Sequence, residues 1–210
     1  LIVPVDNQLQ PIANGYVESE VAIVAEDFNN LLVELKLPAF ALTRQIQNKD
    51  KGAFIFHPER MVLDMSDSSN APAMIFPQGY DEYLVAGQES WRGFYIQELT
   101  VTLPEEFKKT GGRVSLKATN FLLDAYGFSG SLSAENLIFK EGRTSEDKKK
   151  GWQYAIDHIQ ADFVASKLTG GALSGAFRIP IEKEDSRGIH FEGSFSEDNY
   201  MLRVSSLESI

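Results

Sequence analysis

The feature of the sequence that most restricts the fold is an alternation of polar and apolar residues with a period of two. It is clearest over Glu98–Leu103, Ala155–Phe163, Ile189–Phe195 and Tyr200–Val204. Successive side chains of a strand point to opposite faces of the sheet, so this pattern gives each strand one polar and one apolar face. Such strands are typical of antiparallel sheets, whereas the strands of parallel sheets are apolar on both faces. The alternation therefore predicts a mainly β fold, either an antiparallel β-sandwich or a β-repeat array of hairpins.

Helical periodicity is confined to two short segments. Pro104–Gly112 has proline in its first turn, acidic residues next, lysines late and glycine at its end, an order that favours one or two helical turns. Ala25–Asn30 is a weaker candidate, so we expect at most one or two short helices. Turn-forming clusters, among them Gly170–Gly171 and Glu197–Asn199, separate the strands at spacings typical of hairpins.

The length of 210 residues fits one domain, and we predict a single β-rich domain over residues 1–210. A weaker alternative places a sub-domain boundary within residues 77–90, where Pro77–Tyr83 interrupts the alternation. The chain begins at Leu1 without an initiating Met, and it ends directly after an alternating segment. We therefore expect it to be an excerpt from a longer protein.

Two segments 16 positions apart repeat the same pattern. Leu116–Leu123 and Leu132–Phe139 both read Leu-x-Ala-x-Asn followed by three apolar residues. Either similar hairpins have converged on similar residues, or a small β unit has been duplicated. In both cases we expect the Asn to bond the backbone where the strand bends, because Asn favours turns.

Composition and motifs exclude several classes of function. The net charge of -10 argues against binding a nucleic-acid backbone, which needs clustered Lys and Arg. There is no cysteine, and no apolar run approaches the roughly 20 residues needed to span a bilayer. The sequence also lacks a serine-nucleophile elbow, a phosphate-binding glycine loop and paired metal-binding histidines. We therefore predict that the protein is not an enzyme, and we predict no cofactor, no nucleic-acid partner and no membrane span.

Asp64–Asn70 is the densest cluster of oxygen ligands in the chain. Calcium prefers several carboxylate and carbonyl oxygens, but the spacing Asp-x-x-Asp-x-x-Asn departs from the EF-hand pattern. A turn in which these side chains bond their own backbone is the simpler alternative.

Four aromatic residues form the candidate binding surface, namely Tyr80, Tyr83, Trp91 and Trp152. Exposed aromatic rings stack on sugars or fill the pockets of a protein partner. The alternative is that these rings are part of the β core.

The leading hypothesis is a non-enzymatic structural or interaction module of a larger bacterial surface, secreted or fibre-like assembly. Its partners would be other protein chains or segments of the same long polypeptide, and its location extracellular or at the cell surface. Residues 91–107 and 151–163 resemble stretches of large bacterial β-repeat proteins, a resemblance that implies no particular activity.

Two further hypotheses stand beside it. One is a carbohydrate-binding or adhesive module, with or without structural calcium. The other is a β-rich groove that carries a lipid or another apolar ligand. We expect such a groove to show apolar residues on both faces of several strands, which the alternation over Glu98–Leu103 does not favour.

Overall fold

The structure, a computed structural model, describes residues 1–25, 27, 29–43, 52–72, 74–84, 86–107, 112–140, 153–178 and 188–206. These residues form twelve strands and three single-turn 3-10 helices, with no helix of seven residues or more, which confirms the predicted mainly β fold. The 3-10 helices span Tyr80–Tyr83, Gln88–Ser90 and Glu105–Phe107. The strands are β1 (Ile2–Pro4), β2 (Glu20–Ala25), β3 (Leu31–Lys36), β4 (Phe40–Leu42), β5 (Phe54–Asp64), β6 (Gly93–Thr102), β7 (Ser115–Asp124), β8 (Gly127–Lys140), β9 (Gln153–Val164), β10 (Lys167–Arg178), β11 (Ile189–Ser196) and β12 (Asn199–Ser206).

All described strands belong to one antiparallel sheet in which most neighbours in sequence are neighbours in space. The order is β1-β4-β5-β6-β7-β8-β9-β10-β11-β12, and the β2–β3 hairpin joins through β3 to the second half of β5. Extensive contacts between the described elements occur only between strands paired in this sheet. The described strands follow one another mainly as hairpins in a single sheet, and the choice between the two predicted forms stays a prediction. The sheet is continuous across residues 77–90, because β5 and β6 pair on either side of them, and the sub-domain boundary stays a prediction.

The two predicted helices have different outcomes. Glu105–Phe107 forms one 3-10 turn inside the first segment, whose residues 108–111 lie outside the described part of the chain. The described residues of the second segment form a turn, which corrects the prediction. The Asp27 carboxylate accepts hydrogen bonds from the Asn29 amide at 2.7 Å and from the Asn30 side chain at 3.2 Å. These bonds hold the chain in a tight turn directly after β2.

The turn predicted at Gly170–Gly171 is wrong, since β10 runs through both residues. The chain reverses at Ala165–Ser166, where both residues have positive φ angles of 48° and 63°, as a tight hairpin turn requires. Gly171 is required by close packing, because a Cβ there would lie 2.5 Å from the Gln160 carbonyl oxygen and 2.7 Å from the Phe195 ring.

The repeated Leu-x-Ala-x-Asn segments share one structural device. Asn120 and Asn136 have φ angles of 46° and 57°, and each lies at a shift in strand register. An extra residue at a bulge bends the strand, and Asn tolerates the left-handed conformation better than most residues. Each Asn also makes a hydrogen bond: Asn120 accepts one from the Tyr95 hydroxyl at 3.0 Å, and Asn136 donates one to the Arg113 carbonyl at 3.3 Å.

We expect two substitutions at position 136 to differ in their effect on stability, because the backbone there has a positive φ angle. Asn136→Gly and Asn136→Val both remove the hydrogen bond to Arg113, but only Val is strained at positive φ. The Val variant should therefore be about 1–2 kcal/mol less stable than the Gly variant. Urea unfolding of both variants measures this difference, and equal free energies of unfolding would contradict the assignment of a left-handed bulge.

Candidate functional site

The strand register sorts the side chains into two faces, because directly opposed residues of an antiparallel pair lie on the same face. One face, the polar face, carries hydroxyl, amide and charged side chains across most strands from β5 to β12. Three rows of directly opposed residues define it over β6–β9: Thr102, Ser115, Glu135 and His158; Thr100, Lys117, Ser133 and Gln160; Glu98, Thr119, Ser131 and Asp162.

The opposite face, the apolar face, has no polar group in its two longest rows apart from the hydroxyl of Tyr200. The first row crosses ten strands and the second crosses eight. The first row is Pro4, Phe40, Phe56, Val101, Leu116, Ala134, Ile159, Leu173, Gly193 and Leu202; the second is Pro58, Leu99, Ala118, Leu132, Ala161, Gly171, Phe195 and Tyr200.

Two shorter apolar rows extend this face over the other end of the strands. Phe163 follows Ala161 by two residues in β9 and so shares its face, and its ring lies 4.9 Å from that of Phe128. Phe128 thereby places its own row on the apolar face, and the row two residues away on the same strands lies on that face as well. These rows are Ile23, Val33, Leu63, Phe94, Leu123 and Phe128, and next to it Val21, Leu35, Met61, Ile96 and Phe121.

Several large side chains of the apolar face are exposed. Leu116 and Ile159 are each 42% exposed in the middle of the sheet, and Leu202 is 72% exposed on β12. Ten strands spaced about 4.8 Å apart make the first row about 43 Å long. An exposed apolar surface of this extent is unusual among monomeric proteins.

The buried core lies on the opposite side of the sheet. The described residues of segment 65–92, called the cap, fold over the polar face where β5 and β7 end and β6 begins. Leu122 opposes Ser129, which shares the polar face with Ser131 in β8. Leu122 belongs to one buried cluster with Tyr80 and Trp91 of the cap. A second buried cluster of Val3, Ala41, Ala53 and Ile55 occupies the same side at the other end of β5.

Asp124 anchors the cap to the sheet. The indole N–H of Trp91 donates a hydrogen bond to Asp124 Oδ2 at 2.8 Å, and the Tyr80 hydroxyl donates to the same oxygen. Burial and the hydrogen bond to Asp124 raise the pKa of Tyr80 above its usual range, so this hydroxyl stays protonated as a donor. Two aromatic rings and one carboxylate thus fix the cap in place.

The four predicted aromatic residues have different environments. Tyr80 and Trp91 are buried in the core and present no ring to solvent. Tyr83 is half-buried, with its ring 5.6 Å from that of Tyr80 and 5.1 Å from that of Tyr126. Trp152 lies outside the described residues. The structure therefore brings Tyr80, Tyr83 and Trp91 together. Tyr80 and Trp91 are buried packing residues, and Tyr83 is partly exposed.

The Asp64–Asn70 segment forms a turn held by its own side chains and by Asn30, whose Oδ1 accepts a hydrogen bond from the Asp67 amide at 3.2 Å. Asp64 Oδ1 accepts a hydrogen bond from the Ser66 amide at 2.9 Å, and Ser66 Oγ accepts bonds from the amides of Ser68 and Ser69 at 3.2 Å. Asp64 Oδ2 is buried and has no hydrogen-bond partner. Within the described residues, no group of three or more acidic or histidine side chains is placed to hold a metal ion.

Burial raises the pKa of Asp64 from 3.8 to about 6, although the Ser66 amide and the nearby Arg92 charge oppose this shift. The folded protein therefore binds a proton at Asp64 more tightly than the unfolded chain does. The contribution of this proton to the free energy of unfolding is fully present below pH 4. It is lost as the pH rises from 4 to 6, because Asp64 then ionises in the folded protein as well.

We therefore expect Asp64→Asn to stabilise the protein at pH 8 and to leave its stability nearly unchanged at pH 4. The gain at pH 8 should be about 1–3 kcal/mol, since each unit of pKa shift corresponds to about 1.4 kcal/mol. Urea unfolding at both pH values measures it, with Asp81→Asn as the exposed control. A destabilised Asp64→Asn at pH 8 would show that the ionised carboxylate has a partner of its own.

The comparisons with known proteins leave the site to be interpreted from its geometry alone. No family model, no curated protein and no solved structure matches the chain. No helix in the described part of the chain is long and apolar enough to cross a membrane.

Proposed function

We propose that the protein is a non-enzymatic interaction module whose apolar face binds hydrocarbon, in the form of the acyl chains of lipids. The observation that carries the proposal is the first apolar row, in which ten consecutive paired strands each contribute an apolar residue. The expectation that a lipid groove needs apolar residues on both faces of its strands does not apply to this sheet. One apolar face is sufficient where that face is exposed.

The chemistry of the apolar face favours hydrocarbon over a protein partner. Protein–protein interfaces carry about one hydrogen bond per 100–200 Å², so a face of this length that binds protein needs donors and acceptors. The two longest rows offer only the Tyr200 hydroxyl, at the edge strand β12. An acyl chain needs none, and its transfer from water is favourable at about 0.8 kcal/mol per buried CH2 group.

The length of the apolar face also suits an acyl chain. The second row contains only apolar side chains from Pro58 to Phe195, with Tyr200 at its end on β12. One acyl layer of a bilayer is about 15 Å thick, half of its roughly 30 Å hydrocarbon core, so the first row is longer than one acyl chain.

The exposed edge of the sheet supports the further proposal that the module works within a larger assembly. Among the described strands β12 pairs only with β11, and all eight of its residues are exposed. Tyr200, Leu202 and Val204 extend the apolar face to this edge. An edge strand of this length without proline accepts a further strand, either of another chain or of the same polypeptide.

Charges introduced on the apolar face should abolish lipid binding without unfolding the sheet. We expect Leu132→Glu combined with Leu173→Glu to weaken binding of an NBD-labelled phospholipid at least tenfold, because two apolar contacts are replaced by carboxylates that resist burial. The matched control is Ser133→Glu with Ala172→Glu, which adds the same charge to the neighbouring positions of the same strands on the polar face. Fluorescence titration measures both.

The proposal predicts in addition that phospholipid or fatty acid is extracted from the purified protein and detected by mass spectrometry. A wild-type protein that neither yields lipid nor binds the labelled phospholipid would refute it. Equal loss of binding in the two double variants would show that added charge, rather than the apolar face, determines binding.

A further inference from the structure

A second surface, on the polar face, has the features of a binding site. A cleft of about 710 Å³ lies between the cap and the sheet. The cap contributes Glu82 and Tyr83 to its wall, and β9 contributes Gln160 and Asp162. This volume is within the range of small-molecule sites, roughly 300–1,000 Å³.

The floor of the cleft is a ladder of hydrogen-bonding groups. Thr119, Ser131, Asp162, Gly170 and Ser196 are directly opposed on five neighbouring strands, and all of them line the cleft. Neighbouring strands are about 4.8 Å apart, so the ladder presents a polar group at that interval apart from the glycine. A ligand that lies across the strands meets one such group at almost every step.

Asp162 is held in a fixed orientation at the centre of the ladder. Its Oδ1 accepts hydrogen bonds from Gln160 Nε2 at 2.8 Å and from the Ser131 hydroxyl. Its Oδ2 faces the space left by Gly170, because a Cβ at position 170 would lie 3.3 Å from this oxygen. The carboxylate thus keeps one oxygen for its neighbours and directs the other towards the glycine.

The charges around the cleft select the kind of ligand. Glu82, Asp162, Glu197 and Asp198 line it against one basic residue, Lys167, so the cleft repels phosphate and other anions. Its acceptors and donors suit hydroxyl groups, which both donate and accept. The half-buried ring of Tyr83 adds an apolar surface on which a sugar ring can stack.

We propose that this cleft binds a neutral oligosaccharide, with Asp162 accepting hydrogen bonds from its hydroxyl groups and Tyr83 contacting a ring. The proposal is independent of lipid binding, because the cleft and the apolar face lie on opposite sides of the sheet. Of the four aromatic residues in the predicted binding surface, it uses Tyr83 alone.

The test is binding of the full chain to an array of immobilised neutral oligosaccharides. We expect the wild-type protein to be retained and Asp162→Asn to lose at least tenfold in affinity, because Asn offers one acceptor oxygen where Asp offers two. Asp157→Asn is the matched control, since it removes the same charge from an exposed position of the same strand. Gly170→Ala should also weaken binding by crowding Asp162 Oδ2.

The outcomes separate this proposal from its competitors. Wild-type protein that retains none of the oligosaccharides, or an Asp162→Asn variant that binds as the wild type does, would overturn it. A thermal shift with calcium alone that disappears in Asp162→Asn, without oligosaccharide binding, would identify a cation site in its place. A urea-unfolding midpoint of Asp162→Asn equal to that of the wild type shows that the variant is folded.

Discussion

The structure depends on register: apolar residues oppose apolar residues across ten strands, and polar residues oppose polar ones in the rows between them. A slip of one residue at any strand pair would move the whole side-chain set of that strand to the other face. Long antiparallel sheets normally bury their apolar face against a second layer. In this chain the described core lies over the polar face, and large apolar side chains on the opposite face remain exposed. The strand register that determines the fold therefore also produces the apolar face on which the proposed function rests.

The strands keep one face apolar only because they change phase. In β5 the apolar face carries Phe56 and Pro58 on one side of Arg60, and Met61 and Leu63 on the other. The alternation therefore shifts by one residue at Arg60, whose φ angle is 43°. Asn120 makes the same shift in β7 with a φ angle of 46°. The same shift turns Val62, Tyr95 and Leu122 towards the cap, where Tyr80 and Trp91 pack on them.

The sequence predicts the class of fold well and the site poorly. Period-two alternation identifies most strands and their antiparallel pairing, because both follow from local geometry. Gly170–Gly171 was predicted as a turn, since the packing of Phe195 against Gly171 is not visible in sequence. The burial of Tyr80 and Trp91 depends on Asp124, which is more than 30 residues away along the chain. Alternation also does not show whether a second layer covers the apolar face, because that depends on contacts between segments far apart along the chain.

The most direct test of the central claim uses the absence of cysteine, which allows single labels without a background. Nitroxide labels at Leu132→Cys and Leu173→Cys lie on the apolar face, and labels at Ser133→Cys and Ala172→Cys lie on the polar face of the same two strands. Their collision with a water-soluble nickel relaxant is measured with and without phosphatidylcholine. The account predicts that phosphatidylcholine protects positions 132 and 173 and leaves 133 and 172 unchanged. Protection of all four positions alike, or of none, would contradict it.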